Sequence, residues 1–334
     1  MSKVSRGAVL TVLAKHYTDV RITIIDNLSD LEALVERRPN LVFLGMKFIP
    51  VDHDLGLQDP NKIWIAKYLD ARGIAYTGSD QMAHELERNK PLAKQRVLEA
   101  GLITSRFYVA RQNQAQHEGS MSLTFPLFIK PTSRGGGQGI DSDSVVNNFD
   151  QLHSKVNSIA ADLKSDSLVE EYLPGREFSV AILKDEHSSQ FSLMPIELIA
   201  PLDKHGLRIL SSQVKSADTE SFAEVTDKNI EARVTALAID VFHALGARDY
   251  GRIDIRLDKA GVPHFLEANL IPSLINGYGN FPKACLLNMN LGFESMILSI
   301  VKLGLARSTN MTDEEFEQNR LIVPSLEPAF VATA

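Results

Sequence analysis

The chain of 334 residues contains a single cysteine, Cys285. One thiol cannot close an intrachain disulfide. That excludes a disulfide-stapled secreted scaffold and fits a reducing cytoplasm. Cys285 lies in the apolar run 281–290, where a small buried hydrophobe is the expected role. Long apolar runs are missing as well. The longest, at 295–306, is interrupted by Lys302 and Gly304 and is too short to span a bilayer, so no membrane partner is expected. The segment 8–14 follows Lys3 and Arg6 but has no small-residue cleavage site and runs into Lys15 and His16. It reads as an amphipathic helix, not as a signal peptide. Positive charge is in deficit. A net charge of −7 argues against a nucleic-acid partner. The chain shows no internal repeat and no long low-complexity segment. Its glycine-rich segment is not followed by Gly-Lys-Ser/Thr, so it is not a Walker A loop.

What is present is ordinary for a soluble globular chain: 44% hydrophobic and 23% charged residues. The length suits two or three domains. Up to Ser79, helical and extended patterns alternate: helix at 6–17, strand at 20–26, helix at 28–38, strand at 41–45, helix at 61–73 and a short strand at 74–78. Such alternation predicts a parallel α/β domain. A helical stretch over 81–101 follows, with Pro91 marking a break or a fresh start. A loop at 111–122 precedes a strand at 125–131. Beyond lie a helix at 147–163, a strand at 167–173, an antiparallel pair turning at 184–189, a polar loop over 201–224 and a helix at 229–246. The tail after Arg307 is polar.

The stretch 251–269 carries the most chemistry. Polar and apolar residues alternate over 252–257 and again over 264–269, the mark of half-buried strands. A turn composition, Asp258 to Gly261, separates them. A hairpin centred on Ala260-Gly261 sets Asp254 opposite Glu267 and Arg252 opposite Asn269. On the other face Ile253 meets Ala268 and Ile255 meets Leu266. Directly opposed carboxylates, roughly 4.5–5.5 Å apart at Cβ, destabilise a sheet unless neutralised. Arg252 supplies one charge. The oxygen-rich set Asp254, Glu267 and Asn269 suits magnesium or manganese. A surface hairpin with solvated charges explains the same residues, and the alternation does not separate the two readings.

Other features carry weaker signals. Lys130 ends an apolar strand before Gly135, Gly136, Gly137 and Gly139, whose main chain can approach an anion closely. A flexible turn is the plainer reading of the glycines alone. The strand-linker-strand 167–180 offers an apolar slot where main-chain groups could read a nucleobase, with Glu177 placed for ribose hydroxyls. A surface turn at Pro174-Gly175 accounts for much of that pattern. Lys90 and Lys215, taken singly, read as solvated lysines.

The order of these pieces resembles the ATP-grasp superfamily, and within it the D-alanine–D-alanine ligase family, over roughly residues 5–305. The segments YTGS at 76–79 and GRID…LEAN within 251–269, with Pro272 after them, are the most specific parts. The resemblance implies an α/β and α+β architecture: a three-domain ATP-grasp fold with an N-terminal parallel α/β domain and ATP between the central and C-terminal domains. The domains are expected at 1–79, 80–173 and 174–307, with a tail at 308–334. By the same resemblance Lys90 and Lys130 contact ATP phosphates, Lys130 also reaching the adenine side. Gly136 and Gly137 close over the phosphates. Glu170 and the linker Glu171-Tyr172-Leu173 read adenine, Glu177 binds ribose, and Lys215 reaches the phosphates from a mobile loop. Asp254, Glu267 and Asn269 hold two Mg²⁺ (or Mn²⁺), with Glu267 bridging. Arg252 and the main chain at Ser273 stabilise a tetrahedral oxyanion.

The implied activity is an ATP-dependent carboxylate–amine ligase that joins two amino acids or amino-acid-like substrates through an acyl phosphate, giving ADP and phosphate. A true D-alanine–D-alanine ligase of cell-wall synthesis, another carboxylate–amine ligase of this superfamily in secondary metabolism, and a nucleotide-binding protein without turnover are the alternatives. The partners implied are ATP and small amino-acid-like molecules, in the cytoplasm, with a homodimer as the family's assembly. This chain departs from the family in four places. It opens at the helix that follows the family's first strand and glycine loop, where a glutamate meets the first substrate's ammonium, so either the start is truncated or that site differs. The segment 45–64 replaces a HGxxGEDG-like stretch, with Asp52 and Asp54 the nearest substitute acids. Ser216 follows Lys215 where a tyrosine is common. After the metal strand Ser273 replaces a glycine, and Tyr278 lies near the usual serine. D-alanine paired with D-alanine is therefore expected to be a poor substrate pair.

Overall fold

The computed structural model describes residues 1–56, 59–112 and 122–307. The loop at 111–122 and the polar tail lie mostly outside this range.

The N-terminal part holds α1 (Lys3–His16), α2 (Leu28–Glu36), a two-residue antiparallel pair of β1 (Phe48–Ile49) and β2 (Ile63–Trp64), and α3 (Ile65–Asp70). Asn27 caps α2 by accepting from Asp30 N, and the Asp30 carboxylate returns the bond to Asn27 N, which fixes where that helix starts. Leu31, Leu34, Ile65, Leu69 and Tyr76 share one core. The extended segments expected here do not form a regular sheet among the described residues. Val42 and Tyr76 make one parallel bridge, and residues 20–26 pair with nothing. Ile22 and Ile24 are 46% and 50% exposed, so that alternation has no neighbouring strand to bury it. The helix expected over 61–73 is α3 alone, because Ile63 and Trp64 pair with β1.

Two short helices follow, α4 (Gln81–Arg88) and α5 (Lys90–Glu99). The break falls where Pro91 predicts it. Asn89 caps α5 by accepting from Leu92 N at 3.2 Å, and Pro91 sits in the first turn, where a missing N–H costs nothing. Ala83, Ala93 and Val97 from these helices pack into the largest core cluster.

A four-stranded antiparallel sheet is built from β3 (Phe107–Ala110), β4 (Leu127–Pro131), β5 (Val145–Val146) and β6 (Ser167–Glu171), in the order β3-β6-β4-β5, with α6 (Phe149–Leu163) packed on it. A second, five-stranded antiparallel sheet contains β7 (Glu177–Lys184) and β8 (Phe191–Ile199). The stretch read as a polar loop over 201–224 contains α7 (Ser212–Ala217) and β9 (Ser221–Glu224). Ser211 caps α7, and β9 pairs with the edge of β8. After α8 (Lys228–Ala244) come β10 (Tyr250–Leu257) and β11 (Pro263–Asn269), completing the order β11-β10-β7-β8-β9.

The last helices are α9 (Asn280–Met289) and α10 (Phe293–Leu305). No single described helix is long and apolar enough to cross a membrane. These two meet at 104°, and only together do they reach that apolar length. Phe281, Cys285, Met296 and Ile300 bury them in the core under β7 and β8. Burial pushes the Cys285 thiol up to about 12, so it is an inert core residue, as its apolar run predicts.

Candidate active site

The β10–β11 register follows the alternation over most of its length. Asp254 faces Glu267, Arg252 faces Asn269 and Ile253 faces Ala268. The prediction fails at Ile255, which faces Phe265 and not Leu266, because the register shifts by one residue after Asp254. The extra residue, Leu266, turns into the cavity wall.

The polar face of this hairpin is a network. Asp254 Oδ1 accepts from Ser179 Oγ at 2.7 Å and Arg252 Nε at 2.9 Å. Its Oδ2 accepts from Arg252 Nη2 at 2.8 Å and Asn269 Nδ2 at 3.1 Å. Ser179 reaches it because β7 places Ser179 beside Asp254 in register. Lys90 Nζ stands 3.6 Å from Glu267 Oε2 and donates to the Arg134 carbonyl. Burial favours a neutral Glu267, but Lys90, Lys215, Lys130 and Arg252 overcome it and hold the carboxyl at about 2.

Behind this face lies a second charge cluster. Glu170 on β6 is buried between two lysines, with Lys130 Nζ at 2.7 Å and Lys94 Nζ at 2.5 Å. Lys94 also donates to Thr104 Oγ1, Ser105 Oγ and the Phe265 carbonyl, so every proton on its ammonium has an acceptor. Burial pulls Lys94 down to about 8 against the pull of Glu170, while Lys130 and Lys94 outweigh burial to hold Glu170 at about 2. Glu177 pairs with Arg256 at 2.9 Å, yet burial keeps its carboxyl above the usual value.

Most of these groups line one cavity, whose empty space with its open mouth is about 840 Å³. Phe128, Ile140, Tyr172 and Leu173 line one part of it. The N–H groups of Glu171 and Tyr172 are already bonded to the Arg106 and Pro126 carbonyls. The Leu173 N–H has no protein acceptor among the described residues. Gly175 turns the chain out of the linker, donating to the Leu257 carbonyl at 3.0 Å where a Cβ would come within 2.5 Å of that oxygen.

Lys130, Glu170, Glu177, Lys215, Arg252, Asp254 and Glu267 all reach the cavity, and Asn269 and Lys90 adjoin it through Asp254 and Glu267. Lys215 stands on α7 instead of a loop. Gly136 and Gly137 have φ of +65° and +77°, and a Cβ on Gly137 would lie 2.9 Å from Ser212 N, so glycine is what lets this loop touch α7. The Glu171 side chain points away to Arg106. Ser273 is exposed in the turn after β11, outside the cavity wall. Asp52 and Asp54 are exposed in a turn organised by Asp59, which accepts from the Val51, Asp52 and Asn61 N–H groups.

Sequence reasoning missed Lys94, Ser179, Arg256 and Glu87. Arg256 was visible as the third polar residue on the face of Arg252 and Asp254. Lys94 lies one helical turn beyond Lys90. Glu87 carried no local signal. It is buried, accepts from Leu270 N at 2.9 Å beside Asn269, and pairs with Lys47 at 2.7 Å and His84 at 3.1 Å. Burial opposes its charge, but Lys47 and His84 hold it at about 2.

The donor set suits a hard divalent cation that takes its other ligands from phosphate and water. It offers two carboxylates and an amide, and no described group of three acidic, histidine or cysteine side chains exists to cage a metal alone.

Glu87, Glu170 and Glu267 make the fold acid-sensitive in a defined window. Each has a folded value of about 2 against an ordinary 4.5, so the unfolded chain binds more protons between these values. Their contribution is complete above pH 4.5 and is lost as pH falls toward 2. Urea midpoints measured against pH should be flat on the neutral side and fall across that window. A midpoint unchanged down to the acid end would contradict these assignments.

Residues 97–302 match the family model described as D-ala D-ala ligase C-terminus. An uncharacterized protein of Sinorhizobium fredii, y4sG, is 30% identical over 210 residues, which are 62% of this chain and 60% of that protein. A D-alanine–D-alanine ligase of Hydrogenovibrio crunogenus is 29% identical over 71% of this chain and 72% of its own length. In structure, a D-alanine–D-alanine ligase from Bacillus anthracis complexed with ATP superposes with a TM-score of 0.68 at 19% identity, covering 92% of this chain and 95% of that one.

Proposed function

This chain belongs to the D-alanine–D-alanine ligase family, ATP-dependent carboxylate–amine ligases of the ATP-grasp fold, and from that premise we propose a specific reaction and specific roles for its residues. The reaction activates the carboxylate of an amino acid or a similar small molecule with ATP, and an amine then displaces phosphate to form an amide. One observation carries this reading. Arg252, Asp254, Glu267 and Asn269 form one polar face, and Lys90, Lys130 and Lys215 converge electrostatically on Glu267 beside a single cavity. A site that only bound nucleotide would have no need of the oxyanion arginine Arg252.

The roles follow from placement. The free Leu173 N–H and the apolar walls at Phe128 and Ile140 take the base, and Glu177 faces the ribose. Lys90, Lys130 and Lys215 hold the phosphates. Asp254, Glu267 and Asn269 would hold one or two Mg²⁺ or Mn²⁺, whose chemistry when bound is to screen phosphoryl oxygens. Arg252, which its bonds to Asp254 hold at the cavity wall, would stabilise the oxyanion formed as the amine attacks; the main chain at Ser273 is proposed to add a second contact. Gly136 and Gly137 bring their loop against α7 and exclude water from the acyl phosphate. This chemistry asks the protein for positioning and charge neutralisation more than for proton transfer. The proposed domain divisions at 79 and 173 leave the base between the two antiparallel sheets. The lone, buried Cys285 supports a cytoplasmic setting.

The test is a coupled assay for nucleotide products across pairs of amino acids and amines. ADP and phosphate should appear in step with amide. AMP as the stoichiometric product would contradict an acyl phosphate.

A further inference from the structure

The base, the phosphates and the metal set leave Glu220 and Asn280 of the cavity wall without a role. These belong together. Tyr278, two residues before Asn280, donates its phenol to the Lys215 carbonyl at 2.9 Å. After burial, Glu220 is the strongest influence raising that phenol's pKa, followed by Asp218. With the base, ribose and phosphates assigned to other lining residues, this part of the wall is the one left for the attacking amine.

Glu220 is chemically incomplete as it stands. Its Oε2 is shielded from solvent and has no hydrogen-bond partner among the described residues. Neither nearby lysine gives the Glu220 Oε2 a hydrogen bond. The Lys215 ammonium acts on Glu177 and Glu267. Lys283 lies over aromatic rings, 3.9 Å from the Phe222 centroid and 5.6 Å from that of Tyr278, and is not part of the cavity wall. A shielded carboxylate oxygen without a donor is costly, and an incoming N–H group removes that cost. A substrate carboxylate at the same place would meet the like charge of Glu220 instead. It would also find the Tyr278 hydroxyl proton already committed to Lys215.

We infer that Glu220 is the specificity-determining residue of the amine subsite, its carboxylate accepting a hydrogen bond from the N–H of the amine substrate while the nitrogen lone pair stays free to attack. It thereby selects amines with no carboxylate beside the nitrogen, such as a simple amine, a diamine or a carboxamide-blocked amino acid, over a free α-amino acid. This rests on the ligase reading above and deepens it by naming the class of the second substrate.

The experiment first finds a carboxylate that supports ADP release with hydroxylamine as the nucleophile, then compares D-alaninamide, 1,4-diaminobutane and D-alanine as amines. Wild-type kcat/KM for D-alaninamide should exceed that for D-alanine by about tenfold or more, the scale of one charge-assisted hydrogen bond. In Glu220→Gln the ratio should fall toward one, and Glu220→Asp should restore part of it. A merely structural role would lower both substrates together and leave the ratio unchanged. Thermal midpoints of the variants confirm that each remains folded. D-alanine used as well as D-alaninamide by wild type, or a ratio untouched by Glu220→Gln, overturns the inference while hydroxylamine-dependent ADP release keeps the ligase reading. No ADP with hydroxylamine and any carboxylate removes both.

Discussion

Glu267→Gln should reduce turnover by about a thousandfold or more, on the scale of the several kcal/mol that metal-assisted charge stabilisation supplies. Glu267 is the carboxylate on which Lys90, Lys130, Lys215 and Arg252 all act, and the substitution removes the charge that gathers them. The fold should survive. A cost in stability is expected all the same, because the neutral amide leaves Lys90, Lys130, Lys215 and Arg252 without the charge they act on, and the relieved repulsion with Asp254 across the ladder offsets only part of it. Steady-state ADP release and urea unfolding of the same preparation separate the two effects. Near-normal turnover would remove the hairpin from the chemistry.

Glu170→Gln should have the opposite profile, with the larger cost in stability. Lys94 and Lys130 are both buried, at 0% and 4% exposure, and Glu170 is the carboxylate that neutralises them. A neutral amide leaves two ammonium groups uncompensated in the interior. Removing one partner of a buried ion pair costs on the order of 3–5 kcal/mol. Lys94 should respond first, since burial already pulls it down to about 8. In the variant its deprotonation should move lower still. Unfolding free energies should therefore recover as pH is raised, where the neutral amine is tolerated. A loss below about 1 kcal/mol, typical of an exposed pair, would mean the cluster is solvated.

These two glutamates also mark what could be read from the sequence. Glu267 was legible because alternation fixes which residues share a strand face, and the turn at Asp258–Gly261 fixes the register within a residue. The slip after Asp254 was not legible. A bulge depends on the fit of Phe265 into the core and Leu266 into the cavity, which the pattern of a single hairpin does not contain. Glu170 was singled out only by resemblance, and its true partners explain why. Lys94 lies on a helix 76 positions earlier, and a lone helical lysine reads as solvated until that helix docks on β3 and β11 and its ammonium reaches Glu170.

The N-terminal strands failed for a related reason. Alternation at 20–26 is a local property, whereas a strand needs a neighbour, and only Val42 and Tyr76 find one. In the polar loop over 201–224, α7 was hidden because a six-residue helix carries little periodicity. Its existence rests on the Ser211 cap and on contact with Gly137. Glu220, by contrast, was never visible. Nothing in its sequence neighbourhood distinguishes it from the exposed acids of the same loop, and only the cavity wall shows it without a partner.

The central claim is that the cavity passes a phosphoryl group from ATP to a carboxylate oxygen. Labelling tests it directly. The amino acid that supports ADP release is prepared with ¹⁸O in its carboxylate and turned over with unlabelled ATP, and the released phosphate is analysed by mass. Acyl phosphate formation predicts one ¹⁸O atom per inorganic phosphate, because the oxygen joining carbon to phosphorus leaves with phosphate. Unlabelled phosphate, or label recovered in AMP, would contradict the account.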